Sequence, residues 1–509
     1  LARQPQSQTL AGQATLADLT AQWGENAVRH LGARADFDVG LTPREIQVRQ
    51  LAGTLTQDAR DGGRFDLAAK YHREKETVEL TARLTDFNQH GAGPFLEPLL
   101  ANQKLVSVDI NAQATAQYDP RGASAVKADL QVANLVVADP KQPAPGAPLA
   151  ATMRLDASAR QQKAEVRQFQ LALTPTARAT NQLQLTGWVD WSRTNALQGD
   201  LKLTAEALDL TRYYDLFMAD TPAAARETPA APDASAPAAA SPEPEALTLP
   251  FHHFTAHAAI SRLYLRELEI ADAQATVRID GGRVVVNPCQ LTLNGAPADA
   301  TADLDLGVPG WKYALAFNAQ ALPLPPLINS FQPDLKGQLS GTASAQGNLN
   351  GTGFTGASLQ KHLAGQFDMT LTNLNFALVS LEGKTWYTRV LKTVVNVIGT
   401  LPELAQNPAG TVLSLLTGKG SASGGGAPEL KQSRLEAVAL RAAAGGGRVD
   451  VQNATLQGSA FAAQAAGTIQ LAEVLTNSPL HLPVAISLER TLAQRLGLAG
   501  DTPTNAVYA

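Results

Sequence analysis

The chain is short of most of what enzymes and nucleic-acid binders are built from. Its 509 residues hold one cysteine, Cys289, so an internal disulfide and a cysteine-based metal cluster are excluded. Aromatic residues make up 5% and charged residues 17%, with a net charge of −5. No basic stripe with interleaved aromatics occurs, which argues against a nucleic-acid surface. No apolar run reaches the ~18 residues of a membrane span, and no signal peptide opens the sequence. The opening residues LARQPQSQTLAGQ read like the interior of a protein. The expectation is therefore that an N-terminal part, anchor included, precedes them.

What the chain does have is alternation. Val106, Val108, Ile110, Ala112, Ala114 and Ala116 alternate with Ser107, Asp109, Asn111, Gln113, Thr115 and Gln117. This is the period of a strand with one apolar and one polar side. The same pattern returns at 78–84, 126–132, 151–159, 183–191 and 201–207. It resumes at 283–293, 302–306, 313–321, 367–371, 449–456 and 468–471. Gly, Pro, Asn and Asp punctuate these runs as turns do, and little helix lies between them, so antiparallel meanders are expected.

Two stretches break the pattern. Residues 220–246 (DTPAAARETPAAPDASAPAAASPEPEA) hold almost no large apolar side chain and predict a disordered or extended linker. In TWYTRVLKTVVNVIG the residues Tyr387, Val390, Leu391, Val394 and Ile398 fall at helical spacing, with Asn407–Pro408 opening a second short helix that Gly418 ends. The expected organisation is a β section over 1–219, the linker 220–246 and a β section over 247–380. A helical segment near 386–416 with a Gly/Ser-rich loop fills 381–428, and a C-terminal β repeat covers 429–509. Repeats support stacking of similar units: LKLTAEALDLTRYYDLF (201–217) aligns with LAFNAQALPLPPLINSF (315–331), and ATLQGSAFAAQAAGTIQL (454–471) echoes QLTLNGAPADATADLDL (290–306).

Motifs that would carry chemistry do not hold up. GTGFTG (351–356) fits G-x-G-x-x-G as a string, but neither the buried parallel strand nor the helix of a dinucleotide site is visible around it, and it reads as a turn between strands. TGKG (417–420) lacks both the Ser/Thr and the first glycine of a phosphate loop. His253 and His257 share a strand face about 13 Å apart, too far to clasp one metal. No G-x-S-x-G elbow occurs. Asp303 and Asp305 occupy the ordinary wet side of a strand. The remaining constellation is the apolar face, and a closed solenoid and an open trough produce the same alternation.

The order of signals from about residue 250 to 490 resembles the AsmA-like family of bacterial envelope proteins. The resemblance rests on ELEIADAQATVRIDGGRVVVNPCQLTLNGAPADATADLDLG, then YALAFNAQALPLPPLINSF, KGQLSGTASAQGNLNGTG and LQKHLAGQFDMTLTN. In the closing segment a G-x-I-x-L step stands at Gly467, Ile469 and Leu471. The Ala/Pro-rich linker is not a hallmark of that family.

The resemblance implies a mainly β protein, an elongated curved antiparallel sheet forming a repeating β-groove as in bridge-like lipid transfer proteins. For want of a nucleophile–base arrangement or a metal-ligand cluster, no enzyme activity, cofactor or metal is expected. The implied location is the periplasm, anchored to the inner membrane by an N-terminal segment. The implied partners are phospholipids, the inner and outer membranes, and membrane proteins at either end. From polarity, the inward residues are Val106, Val108, Ile110, Leu201, Leu203, Leu304, Leu306, Leu315, Phe317, Phe367, Met369, Leu371, Ile469 and Leu471. The competing expectation is a closed solenoid that scaffolds outer-membrane assembly and carries no lipid.

Overall fold

The structure, a computed structural model, describes residues 7–23, 26–96, 100, 104–138, 147–193, 196–218, 243–332, 336–377, 434–474 and 478–495. The expected helical segment near 386–416, the Gly/Ser-rich loop and most of the linker lie outside these residues. Two compact units emerge. The first comprises the chain up to the linker with 249–265 and 272–281; the second comprises 243–248, 266–271 and residues from 282 on. In both, the alternating runs become strands of an open, curved sheet.

The first unit begins with β1 (Gln8–Trp23), β2 (Asn26–Leu41), β3 (Glu45–Gln57), β4 (Arg60–His72), β5 (Thr77–Asn88) and helix α1 (Gln89–Leu96). It continues through β6 (Lys104–Tyr118), β7 (Ala123–Ala138), β8 (Leu149–Arg160), β9 (Lys163–Leu173), β10 (Gln182–Asp190), β11 (Leu197–Asp209) and α2 (Thr211–Met218). Beyond the linker come β12 (Phe251–Leu265) and β13 (Leu268–Asp280). From β1 to β11 each strand pairs antiparallel with the next. The pairing of β11 with β12 is parallel, a departure from the expected meander. The cause is the connection from Leu210 to Pro250, long enough for the crossover that parallel neighbours require.

The second unit holds β14 (Arg283–Leu293), β15 (Ala296–Asp305), β16 (Lys312–Pro323), α3 (Leu324–Phe331), β17 (Ser340–Thr352), α4 (Gly356–His362) and β18 (Ala364–Ala377). It closes with β19 (Arg434–Gly445), β20 (Arg448–Gly458), β21 (Phe461–Gln470), β22 (Leu480–His481), β23 (Val484–Leu488) and α5 (Arg490–Arg495). The pairings among β14–β23 are antiparallel. The sequence repeats reappear as structure. β11 runs into the eight-residue α2 as β16 runs into the eight-residue α3, and β14–β15 and β20–β21 are matching hairpins. The β14–β15 turn places Asn294 at φ 48° and Gly295 at φ 81°, the two-residue geometry that Asn-Gly favours because both residues tolerate positive φ.

Bulges interrupt several strands near their C-terminal ends. Register shifts fall between Leu84 and Phe87, Val132 and Leu135, Ala319 and Leu322, and Leu371 and Phe376. Each contains a left-handed residue: Asp86, Asn134, Ala321 and Asn373. An extra residue in one strand kinks it and deepens its twist. The displaced backbone groups are satisfied locally. Asp86 N–H donates to Asn111 Oδ1 at 3.0 Å, Ser107 Oγ to Asn134 O at 2.8 Å, and Ala321 N–H to Ser344 Oγ at 2.9 Å.

Past the bulges the apolar side is roofed and forms true cores. In the first unit Leu105, Val108 and Val137 pack with Ala92 of α1 and with Leu100. In the second, Leu374, Leu435, Phe461 and Leu488 pack with Leu492 and Ala493 of α5.

The end of the expected linker is ordered. Glu243 accepts hydrogen bonds from Phe354 N–H (2.8 Å), Thr355 N–H (3.0 Å) and the Thr355 hydroxyl. Glu245 O accepts from Trp311 Nε1 at 3.0 Å, and Leu247 N–H donates to Leu306 O at 2.7 Å. Residues 243–246 therefore belong to the second unit, and composition alone misplaced them because their anchors are backbone groups far along the chain.

Candidate functional site

Pairing fixes which side chains share a face, because directly opposed residues point the same way. Across the first unit one such row runs Gly12, Phe37, Leu51, Leu67, Ala82, Ala114, Ala128, Leu155, Phe169, Leu185, Leu203, Ala258. The rows on either side, from Leu10 to Ala256 and from Ala14 to Ile260, are equally apolar through all of β1 to β12. At about 4.8 Å per strand this face extends over about 53 Å. The second unit repeats the design from β14 to β21. Its central row is Cys289, Ala300, Phe317, Gly347, Phe367, Ala442, Val451, Gly467. Gly347 is required there, since a Cβ would lie 2.9 Å from Gln366 O and 3.0 Å from the Phe317 ring. Its bareness lets Phe317 and Phe367 approach to 6.2 Å between centroids.

These rows are not covered. Of their residues only Ala205 and Val451 are buried, whereas Leu315 is 37% exposed and Phe317 39%. Two sheets closed on each other would bury such positions. The opposite face is charged and polar, with Arg283–Asp303 at 2.6 Å, Arg167–Asp156 at 2.7 Å and Arg154–Asp129 at 3.5 Å. Exposed pairs of this kind contribute little stability and chiefly keep that side wet.

The residues expected to line a groove divide into three groups. Leu201 and Leu203 lie on the open rows of the first unit, and Leu315, Phe317, Phe367, Met369 and Ile469 on those of the second. Leu304 opposes Tyr313 on the same side. A second group sits in or against the closed cores: Val108 is 0% exposed, Ile110 packs beside it, and Leu371 packs on the Phe461 cluster. The third group lies outside the paired rows. Val106 is 44% exposed while its neighbour Leu105 is buried, because register shifts at 105–109 interrupt the alternation. Leu306 and Leu471 follow the ends of β15 and β21, where their N–H groups close hairpins on Gly282 O (2.7 Å) and Gly447 O (2.9 Å). Reading single strands missed Leu155, Phe169, Leu185 and Leu349, whose place on the rows depends on cross-strand register.

Titratable groups form locks. Asp209, buried at the end of β11, is pushed up by burial, but hydrogen bonds from Thr211, Arg178 and Thr176 outweigh this and hold its pKa below the usual range. His252 Nδ1 lies 3.0 Å from Asp280 and His257 Nδ1 3.2 Å from Thr276 Oγ1, and among the described residues no three His, Cys, Asp or Glu side chains come together as a metal site.

GTGFTG does lead into a helix, the seven-residue α4, contrary to the sequence reading. The strand before it is antiparallel, and the carboxylate of Glu243 fills the anion position. Burial raises the pKa of Glu243. The hydrogen bonds from Ser358, Thr355 and the Phe354 and Thr355 backbone more than offset it and bring it down to about 2.

A family model, the AsmA family, matches residues 109–374. The chain belongs to the AsmA family. The match begins within the first unit, ahead of the stretch on which the sequence resemblance rests, and stops at Leu374, before the closing repeat. No curated protein and no solved structure matches the chain. As an AsmA protein it is envelope-related, and the family is not known as enzymatic.

Proposed function

We propose that this AsmA protein binds phospholipids along the open apolar face of its sheets and conducts them between the inner and outer bacterial membranes, supporting envelope integrity. The observation that carries this reading is the uninterrupted apolar rows, left uncovered through β1–β12 and β14–β21. Neighbouring rows are two residues apart along the strand, so three rows make a band about 13 Å high. That is close to the ~15 Å that one leaflet contributes to a ~30 Å hydrocarbon core. Acyl tails lying along the strands would therefore cover the band while headgroups remain at its wet rim.

Each covered methylene is worth about 0.8 kcal/mol. The wall offers nearly the same contact at every strand, so sideways movement changes little of that energy. No covalent step, cofactor or metal enters this mechanism. We place the protein in the periplasm, held to the inner membrane by an N-terminal segment, with membrane proteins as partners at either end. A closed scaffold that carries no lipid is less well supported, because Leu315, Phe317 and Leu349 keep more than a third of their surface.

The test is mass spectrometry of organic extracts from the purified chain, wild type against Leu315→Asp. Phospholipid is expected with the wild type and several-fold less with the folded variant. Equal lipid in both would refute the groove.

A further inference from the structure

The polar side of the first unit carries charged and small polar residues, with one exception. Opposed positions on that side run Ser158, Glu165, Trp188, Asp200 across β8–β11. Among the described residues of β7–β11, Trp188 is the one aromatic on this side. A large aromatic there breaks the binary pattern without joining a core, and such breaks gather at functional sites.

Trp188 lines a cavity of about 720 Å³ over β7–β10. That volume falls in the range of small-molecule sites, roughly 300–1,000 Å³. Arg160 and Lys163 oppose each other across the β8–β9 hairpin, and Lys163 Nζ lies 4.1 Å from the centre of the Trp188 ring. Arg167 also lines the cavity, but Asp156 holds it at 2.7 Å. Asp190, which opposes Lys163, accepts from Ser192 N–H at 2.8 Å. Among the described residues Arg160 and Lys163 form no ion pair. Two cations without a carboxylate partner therefore stand beside an aromatic plane. Around them Ser158, Glu165 and Thr186 offer hydrogen-bonding side chains.

We infer that this cavity binds a phosphorylated sugar. The phosphate goes to Arg160 and Lys163, whose charged donors make the strong class of hydrogen bond to its oxygens. The flexible stem of Lys163 lets its ammonium follow the phosphate off the ring. The apolar C–H face of the sugar lies on Trp188, and its hydroxyls donate to Glu165 and exchange hydrogen bonds with Ser158 and Thr186. A bare phosphate would fill a small part of the volume and leave Trp188 unused. A lipid whose tails cover the apolar rows is on the wrong side of the sheet to place its headgroup here.

The experiment is isothermal titration calorimetry of the full 509-residue chain with glucose 6-phosphate, glucose, inorganic phosphate and uridine monophosphate. Saturable binding is expected for glucose 6-phosphate and at least tenfold weaker binding for the other three. Lys163→Gln and Arg160→Gln, both at exposed positions, should each weaken it at least fivefold with an unchanged thermal melt. Trp188→Leu should do the same, and Trp188→Phe, which keeps an aromatic plane, should retain most of the affinity. Arg154→Gln, on the same side but outside this cavity, should leave it unchanged. No binding of glucose 6-phosphate would refute the proposal. Equal binding of inorganic phosphate, or an equal loss at Arg154, would overturn it by reducing the site to diffuse positive charge. Equal binding of the nucleotide, or displacement of the sugar phosphate by phosphatidylglycerol vesicles, would overturn it by putting a base or a lipid headgroup there. The proposal does not rest on the groove: Leu315→Asp should empty the groove and leave the sugar-phosphate affinity as it is.

Discussion

Phe461 and Phe317 belong to the same unit and the same side of its sheet, yet one is 0% exposed and the other 39%. Phe461 lies under Leu488, Leu492 and Ala493 near the strand ends. Phe317 lies mid-strand between Ala300 and Gly347, with Phe367 as a ring neighbour. The first unit repeats the contrast between Val108, enclosed near α1, and Leu155 on an open row. Identical residue types on one face thus do two jobs. The roofed ones hold the fold, and among the described residues the open ones have no such roof.

The contrast can be broken by mutation. Phe461→Ala should cost about 3–5 kcal/mol, the price of a large cavity in a closed core, read as a lowered denaturant midpoint. Val108→Ala should cost about 2 kcal/mol, whereas Val106→Ala should stay within about 0.5 kcal/mol. Equal effects at 106 and 108 would mean that the bulge is misplaced.

Glu243→Gln should cost about 1 kcal/mol near neutral pH, since charged acceptors make stronger hydrogen bonds but this one is partly solvated. The acid limb gives a second reading. The folded pKa, about 2, lies below the ordinary 4.5, so the ionised form is favoured by folding. Its contribution is complete above about pH 4.5 and is lost as the pH falls toward 2. Melting curves over that window should be flatter for the Gln variant. In lipid-free protein Phe317→Ala should change stability by less than about 1 kcal/mol. A cost approaching that of Phe461→Ala would show that the open row is load-carrying core.

Much of the sheet was legible in the sequence. Alternation gives the strands directly, and the 114-residue offset between 201–217 and 315–331 corresponds to a real strand-to-helix unit. What alternation cannot carry is coverage. Val108 and Leu203 are indistinguishable by pattern, and only α1, packed beside one and not the other, separates them. Bulges are equally silent, because one extra residue at 105–109 reverses which neighbour turns inward. Glu243 looked like one more acid in an Ala/Pro tract. Its donors lie more than a hundred residues away.

Side-specific photo-crosslinking tests the central claim most directly. A photoreactive phenylalanine analogue would be placed at Phe317 on the open row, at Asn318 on the polar side and at Phe461 in the closed core, in protein purified with its native lipids. The account predicts lipid adducts at position 317 and none at 318 or 461. Adducts of similar yield at 317 and 318, or none at 317 in a folded protein, would contradict it.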